Sequence, residues 1–275
     1  MTQFGNVITV QLTDEQKVAY GEQGFVVLPS VLGDAEIARQ RDTFDRLFTP
    51  PADGGKPLYF DLTGKDPDAE LDDCAVPQLL HPSHHVTDLP QSPAWQAALD
   101  IAAQLFNMGP HTPRDLVVRD HMIVKPPHTT GPTPWHQDEA YWEEDKLYQE
   151  LSVWFALQKT TEQMGCMQFI AGSHRGEVRP HHPWKNDPKI IALEVDADCV
   201  DATLAVACPL HAGAATVHSA RTLHYTSGNR TDEPRRALIF TVGTPPAQRD
   251  QPRNFYWNQK ERDYKKECLD RGVRQ

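Results

Sequence analysis

Pro134-Trp135-His136-Gln137-Asp138-Glu139-Ala140-Tyr141-Trp142 is the stretch on which both the fold and the chemistry turn. It sets a His-x-Asp pair among aromatic residues, shortly after an apolar run, Leu116–Lys125, whose composition predicts a strand. In an extended chain, residues two apart project to the same face. His136 and Asp138 can therefore aim an imidazole and a carboxylate at one point. Together they are two-thirds of the set of two histidines and one carboxylate that holds non-heme Fe(II) with coordination positions left open. A chain with 13 His contains such a pair by chance, so the pair needs support from elsewhere.

Downstream of it the pattern is one of short strands. Candidates are Glu150–Gln158, Cys166–Ile170, Ile190–Val195, Thr203–Cys208, Ala214–His218 and Arg235–Val242, separated by Gly, Pro and Asn turns. Strands this short with turns between them predict a barrel or a double-sheet roll rather than alternating βαβ units. In the first of these, Ser152, Trp154, Ala156 and Gln158 alternate with Leu151, Val153, Phe155 and Leu157. Trp154 therefore stands off the wholly apolar face.

Upstream the pattern is helical. Thr13 with Gln16 is a capping box and predicts a helix that ends near Gly21 or Gly24. Phe25–Leu28 before Pro29 predicts a short buried strand. Asp34–Phe48 is amphipathic, and Pro93–Phe106 is a second such helix with Ser92 placed to cap it. Pro50–Asp73, rich in Pro, Gly and Asp, reads as a long loop and a candidate lid. Trp257–Gly272 is polar and predicts a terminal surface helix. With no repeat or linker in view, residues 1–275 read as one domain. It has a helical part over 12–110, a roll over 116–243 and an extension over 244–275.

Composition narrows the partners. A net charge of −11 argues against nucleic acid and anionic membranes. No apolar run approaches the roughly 20 residues of a membrane helix. Mean hydropathy is −0.57. The first residues lack a basic segment followed by a long apolar core, so no secretory signal is expected. Five scattered cysteines without a Cys-x-x-Cys pattern read as reduced thiols, and the expected location is cytoplasmic.

A third metal ligand can come from the segment Gly213–Leu238, which holds His218, His224 and the adjacent pair Arg235-Arg236. The turn over Gly228–Pro234 folds these arginines back alongside the strand that carries His224. Arginine suits a carboxylate because its planar fork donates two parallel hydrogen bonds.

The order His136-x-Asp138, then Gly165-Cys166, Gly172-Ser173-His174, then His224 with Asn229 and an Arg eleven positions on, resembles the phytanoyl-CoA dioxygenase family. The likeness runs from about Leu12 to Val242 and takes in Gly24-Phe25-Val26-Val27-Leu28-Pro29. It implies a mainly β fold with flanking helices, a double-stranded β-helix or cupin-like jelly roll, and Fe(II)-, 2-oxoglutarate- and O2-dependent oxygenation. It implies His136, Asp138 and His224 as metal ligands, with His224 matching the family spacing better than His218. It implies Arg235, rather than Arg236, against the far carboxylate of 2-oxoglutarate, with Thr226 touching the same carboxylate and Trp154 lining the pocket. His174 falls at a family turn with a structural role. Hydroxylation is the default outcome of such a site, while desaturation, epimerisation and ring formation share it. Asp138 argues against a halogenase, which replaces the carboxylate by a small residue.

Around this set, the substrate side is read from residues alone. Tyr141, Trp142 and Glu139, with Glu143, Glu144 and Asp145, form a candidate rim, and His121 a candidate wall residue. Aromatic faces near a carboxylate suit a neutral or amine-bearing small metabolite or natural-product intermediate better than an acyl-CoA. The rival readings are a jelly-roll protein that binds a metal or small ligand without turnover, a zinc hydrolase, and an acyl-CoA hydroxylase of the same family. His81 and His85 are four apart, a spacing that suits a metal on a helix, but Pro82 sits between them; the adjacent pairs His84-His85 and His181-His182 read as surface loop residues. Oligomeric state is not legible.

Overall fold

Thr13 caps the first helix as its sequence predicts: its hydroxyl accepts from Gln16 N, and the Gln16 side chain accepts from Thr13 N. The computed structural model describes residues 10–50, 52, 56–64, 66, 69–108 and 115–258. In chain order these form α1 (Asp14–Gln23), β1 (Phe25–Leu28), α2 (Asp34–Phe48), β2 (Phe60–Asp61), β3 (Pro77–Leu80) and α3 (Pro93–Leu105). Then follow β4 (Val117–Lys125), β5 (Thr133–His136), β6 (Lys146–Leu147), β7 (Glu150–Ala156), β8 (Met167–Ile170), β9 (His181–Pro183) and β10 (Leu193–Val195). The last strands are β11 (Ala205–Cys208), β12 (Ala215–Ser219), β13 (His224–Thr226), β14 (Arg235–Gly243) and β15 (Ala247–Gln248).

The strands make a seven-stranded sheet, β1-β12-β7-β14-β4-β3-β2, and a four-stranded sheet, β11-β8-β13-β5, with β10-β9 and β15-β6 as small pairs. Every named pairing is antiparallel, and the two main sheets form the expected jelly roll. One face of the large sheet presents Leu79, Met122, Val124, Leu151, Val153, Phe155, Val217, Leu238, Phe240 and Val242 to a buried cluster. The helices α2 and α3 cover that face with Ile37, Phe44, Leu47, Phe48, Ala97, Ala98 and Ile101. Burying a side chain of the Leu, Ile or Phe class contributes about 1.5–3 kcal/mol, so this layer supplies the main apolar stabilisation. By the two-residue period of strands, the alternate residues turn inward, toward the small sheet, and line the site.

Gly24 shows how the helical part is joined to the roll. It ends α1 at φ +83, where L side chains are strained. A Cβ there would also run into the His174 ring and the Thr222 hydroxyl. His174 thus packs under a turn, with Nε2 3.2 Å from Gly21 O, in the structural role expected for it.

Several expectations are corrected. Pro50–Asp73 is not all loop: β2 lies within it, and Asp61 is buried and accepts from Thr63 N, Ala75 N and Val76 N. A carboxylate taking three backbone amides fixes this segment to the sheet edge. The predicted helix over Trp257–Gly272 falls outside the described residues beyond position 258. Trp257 itself is buried rather than on the surface, and its Nε1 donates to Ala140 O. His181 is fully buried, not in a surface loop, because its Nε2 accepts from Gln137 N between the two members of the His-x-Asp pair. Cys74, Cys166, Cys199 and Cys208 are free thiols, and Cys268 lies outside the described residues.

Candidate metal centre and its cavity

His136, the last residue of β5, and His224, the first of β13, are partners across these two antiparallel strands. Each ring is fixed by its own backbone two residues earlier: Nδ1 of His136 donates to Pro134 O at 2.7 Å, and Nδ1 of His224 to Thr222 O at 2.9 Å. A carbonyl can only accept, so Nδ1 carries the hydrogen and Nε2 presents its lone pair, the arrangement that metal-ligating histidines use. The Asp138 Oδ1 atom lies 3.5 Å from His136 Nε2 and 3.3 Å from His224 Nε2. The three ligand atoms fall within 4.8 Å of one another, so the set fits a single metal ion.

Charge and burial agree with that fit. Burial lowers the pKa of His136, with His224 adding to it, which keeps the imidazole neutral and able to bind a cation. Burial acts to raise the Asp138 carboxyl, but His224 and the contacts with His136 and His218 outweigh it and hold it well below the usual carboxylate range. His218 is the histidine outside the three that lies against the Asp138 carboxylate. It is buried, and its Nε2 lies 3.4 Å from the other oxygen of Asp138, Oδ2.

The cluster opens into a cavity of about 580 Å³, within the usual size of small-molecule sites. Arg235 sits fully buried in its wall, at the first residue of β14. Nη1 donates to Gly165 O at 2.8 Å, the guanidinium lies 5.2 Å from the Trp154 ring centre, and Nε has no partner. Burial lowers its pKa to about 10, so it remains cationic at neutral pH. Thr226, on the same wall, has a buried hydroxyl without a partner. An unpaired cation and an unpaired hydroxyl facing one cavity are groups that an anionic ligand would satisfy. Arg236 points the opposite way and pairs with Asp45 at 2.7 Å, as the alternation of strand residues requires.

On the substrate side, Tyr141, Trp142 and His121 line the cavity and Glu139 does not. Glu139 follows Asp138 in a 3₁₀ turn, where the two-residue alternation no longer holds. It is buried and pairs with Arg221 and Arg253. Of the other acidic residues, Glu143 lines the mouth beside Tyr148, whereas Glu144 accepts from Phe255 N and Asp145 pairs with Gln248. The face of Trp142 is taken by Arg119, 4.9 Å away, which removes the open aromatic face expected for an amine. Burial lowers the pKa of His121 to about 4, so it stands in the wall as a neutral imidazole. Asp120, Gln78 and Arg119, which no sequence motif marks, and His81 also line the cavity. Arg119, His121 and Ile123 alternate along β4, a signal that the strand pattern carried once its inward face was known.

A jelly roll that gathers two histidines and one carboxylate at one point carries the donor set of a mononuclear metal site on a cupin-like fold. Residues 20–237 match the family model described as phytanoyl-CoA dioxygenase, and the chain belongs to that family. Phytanoyl-CoA dioxygenase domain-containing protein 1 of Bos taurus is 30% identical over 128 residues, 46% of this chain and 44% of that protein. Peroxisomal phytanoyl-CoA dioxygenase of Homo sapiens is 25% identical over 174 residues, 62% of this chain and 50% of that protein. The chain spans about half the length of both relatives. Among solved structures, EvdO2 of Micromonospora carbonacea var. aurantiaca in complex with 2-oxoglutarate superposes with a TM-score of 0.80 at 36% identity, covering 92% of this chain and 99% of that one.

Proposed function

We propose that this chain is an Fe(II)- and 2-oxoglutarate-dependent dioxygenase that hydroxylates a small-molecule metabolite or natural-product intermediate. One observation carries the reading: the His136, Asp138 and His224 cluster opens into the same cavity as the buried, carboxylate-free Arg235. His136, Asp138 and His224 hold the iron. Arg235 and the Thr226 hydroxyl bind the far carboxylate of 2-oxoglutarate, and Trp154 packs beside it. Iron so held, with O2, supplies the oxidative decarboxylation that gives succinate and CO2 and the transfer of one oxygen atom to a C–H bond of the substrate. The remaining residues enclose the site. Phe60, Leu62, Leu80, Ile191 and Ile239 keep its interior apolar, and Tyr141 and Trp142 border the entrance.

The 36%-identical neighbour, EvdO2, was crystallised with 2-oxoglutarate, which supports the co-substrate. A relative of 30% identity over 118 residues is described as a probable alpha-ketoglutarate-dependent hypophosphite dioxygenase of Stutzerimonas stutzeri, so small non-thioester substrates occur among its relatives. No helix among the described residues is long and apolar enough to cross a membrane, and the enzyme acts in the cytoplasm in this reading. A zinc hydrolase would leave Arg235 and Thr226 without a purpose.

The test is anaerobic loading with Fe(II) and 2-oxoglutarate, followed by O2 and candidate substrates, with succinate and oxidised product measured together. Succinate formation that needs iron and O2 is the expected result. Metal binding without 2-oxoglutarate consumption across the screen would favour a binding protein.

A further inference from the structure

Asp138 has two oxygens, and they serve different neighbours. Oδ1 faces His136 and His224, while Oδ2 accepts from Ser152 Oγ at 2.8 Å and lies 3.4 Å from His218 Nε2. Ser152 and His218 are not near each other in sequence. They are partners in register across β7 and β12, and Thr241 of β14 is the partner of Ser152 on its other side. His218, Ser152 and Thr241 thus form one buried row across three strands of the large sheet. The Ser152 hydroxyl has one hydrogen, which goes to Asp138. Thr241 Oγ1, 3.3 Å from Ser152 Oγ, therefore donates into it, giving a chain Thr241 to Ser152 to Asp138.

The surroundings of His218 leave it little else to do. Its ring lies 5.2 Å from that of Phe169, Phe25 is its partner on β1, and neither ring nitrogen has an aligned hydrogen bond. A buried imidazole without a partner is costly. Its polar neighbours are the His224 ring, 4.4 Å away between centres, whose Nε2 faces the inner oxygen of Asp138, and the outer oxygen of Asp138.

We infer that His218 and Ser152, with Thr241 behind them, are positioning residues that hold the outer oxygen of Asp138 so that this carboxylate binds iron through Oδ1 alone. The inference rests on the metal site proposed above. Three protein atoms leave three positions on a six-coordinate ion, two for the co-substrate and one left open. A carboxylate that swung to chelate through both oxygens would close one of them. The Ser152 hydroxyl that donates to Oδ2, with His218 Nε2 3.4 Å from the same oxygen, opposes that swing before any co-substrate arrives.

The experiment uses Mn(II) alone as probe, bound to the purified chain, with coordinated waters counted from the broadening of its electron paramagnetic resonance lines in 17O-water. The wild type is expected to carry about three waters on an octahedral ion. Ser152→Ala and His218→Phe should each lower the count toward two, and the double variant should reach it. His218→Asn, which returns an N–H donor to that place, should restore three. Should one variant fail to fold, the other decides. A folded variant lacking these donors that binds Mn(II) with the wild-type count overturns the inference. A wild type that binds no metal overturns the inference together with the metal site. The count needs neither 2-oxoglutarate nor O2, so an enzyme that proves to use another co-substrate would leave the positioning role standing.

Discussion

Arg235 and Lys125 face each other across β14 and β4, two fully buried cations with no ion-pair partner among the described residues. They are satisfied unequally. Lys125 Nζ donates to three carbonyls, Gly131 O, Thr226 O and Ser227 O, and burial next to Arg235 puts its pKa well below the usual value. Arg235 donates to one carbonyl and leaves Nε unpaired. Lys125 therefore fastens the strand that carries His224 and Thr226, and Arg235 keeps donor capacity facing the cavity, which is why we propose it for the ligand.

From this we expect Arg235→Ala to weaken 2-oxoglutarate binding by about 2–5 kcal/mol, the cost of removing one partner of a buried charge pair. Arg236→Ala removes only a half-exposed pair with Asp45, worth about 0–1 kcal/mol of stability. Calorimetric titration of 2-oxoglutarate in the presence of a redox-inert divalent metal separates the two. Equal, small effects would show that the wrong arginine had been assigned.

For the metal, His136→Ala, Asp138→Ala and His224→Ala should each lower Fe(II) affinity by more than about 100-fold while the chain stays folded, since each removes a ligand rather than one of its supports. His218→Ala removes a ring beside the outer oxygen of Asp138, a support rather than a ligand, and should cost only about tenfold. Equilibrium dialysis with circular dichroism on the same samples reads both. Loss of iron in His218→Ala with retention in His224→Ala would reverse the assignment of the distal ligand.

These residues also show what the sequence could carry. Helices α1, α2 and α3, the central strands and the meeting of His136, Asp138, His224 and Arg235 at one cavity were legible, because caps, apolar alternation and motif spacing are local signals. The strands β3, β5 and β9 were not, being three or four residues long and carrying proline or histidine. The role of Ser152 beside His218 depends on strand register, which pairs residues 66 positions apart and leaves no mark on either neighbourhood. Glu139 misled for a related reason: the chain leaves the strand at Asp138, and the turn rotates the next carboxylate toward Arg221 and Arg253.

That ion-pair cluster predicts a stability phenotype. Glu139 is buried against two guanidiniums, so Glu139→Gln leaves both without their counter-charge. Breaking such a pair costs about 3–5 kcal/mol. Urea denaturation should show that loss, and the Kd for 2-oxoglutarate in the variant that remains folded should be unchanged.

Acid should loosen the same motif through His181. Burial lowers its pKa from 6.5 to about 3, and its Nε2 accepts from Gln137 N, so the folded state requires the neutral ring. The unfolded chain binds a proton below pH 6.5 that the folded chain refuses. This contribution to stability is therefore complete above pH 6.5 and lost as pH falls from 6.5 toward 3, at up to about 1.4 kcal/mol per pH unit. His181→Asn should be less stable at pH 7.5 yet flatter between pH 7.5 and 5. A variant with the wild-type slope would place the acid sensitivity elsewhere.

The substrate entrance gives the last expectation. Trp142 is held between Arg119 on its face and the Tyr148 ring 4.8 Å away, with Glu143 at the same mouth. Arg119 also pairs with the buried Glu150, so its charge is already answered. Among the described residues the mouth thus offers the exposed carboxylate of Glu143 and no unpaired cation for the phosphates of a CoA thioester. The cavity behind it, at about 580 Å³, holds a small molecule. We expect free acids, alcohols or neutral natural-product intermediates to be oxidised in preference to the matching acyl-CoAs, with succinate and product formed in equal amounts. Trp142→Ala should raise KM for such a substrate roughly tenfold, the loss of about 1.4 kcal/mol of aromatic contact. It should also uncouple the reaction, so that succinate outruns product, while metal and 2-oxoglutarate affinities stay at wild-type values. Coupled turnover of an acyl-CoA alone, undiminished in Trp142→Ala, would remove this entrance from the account of specificity.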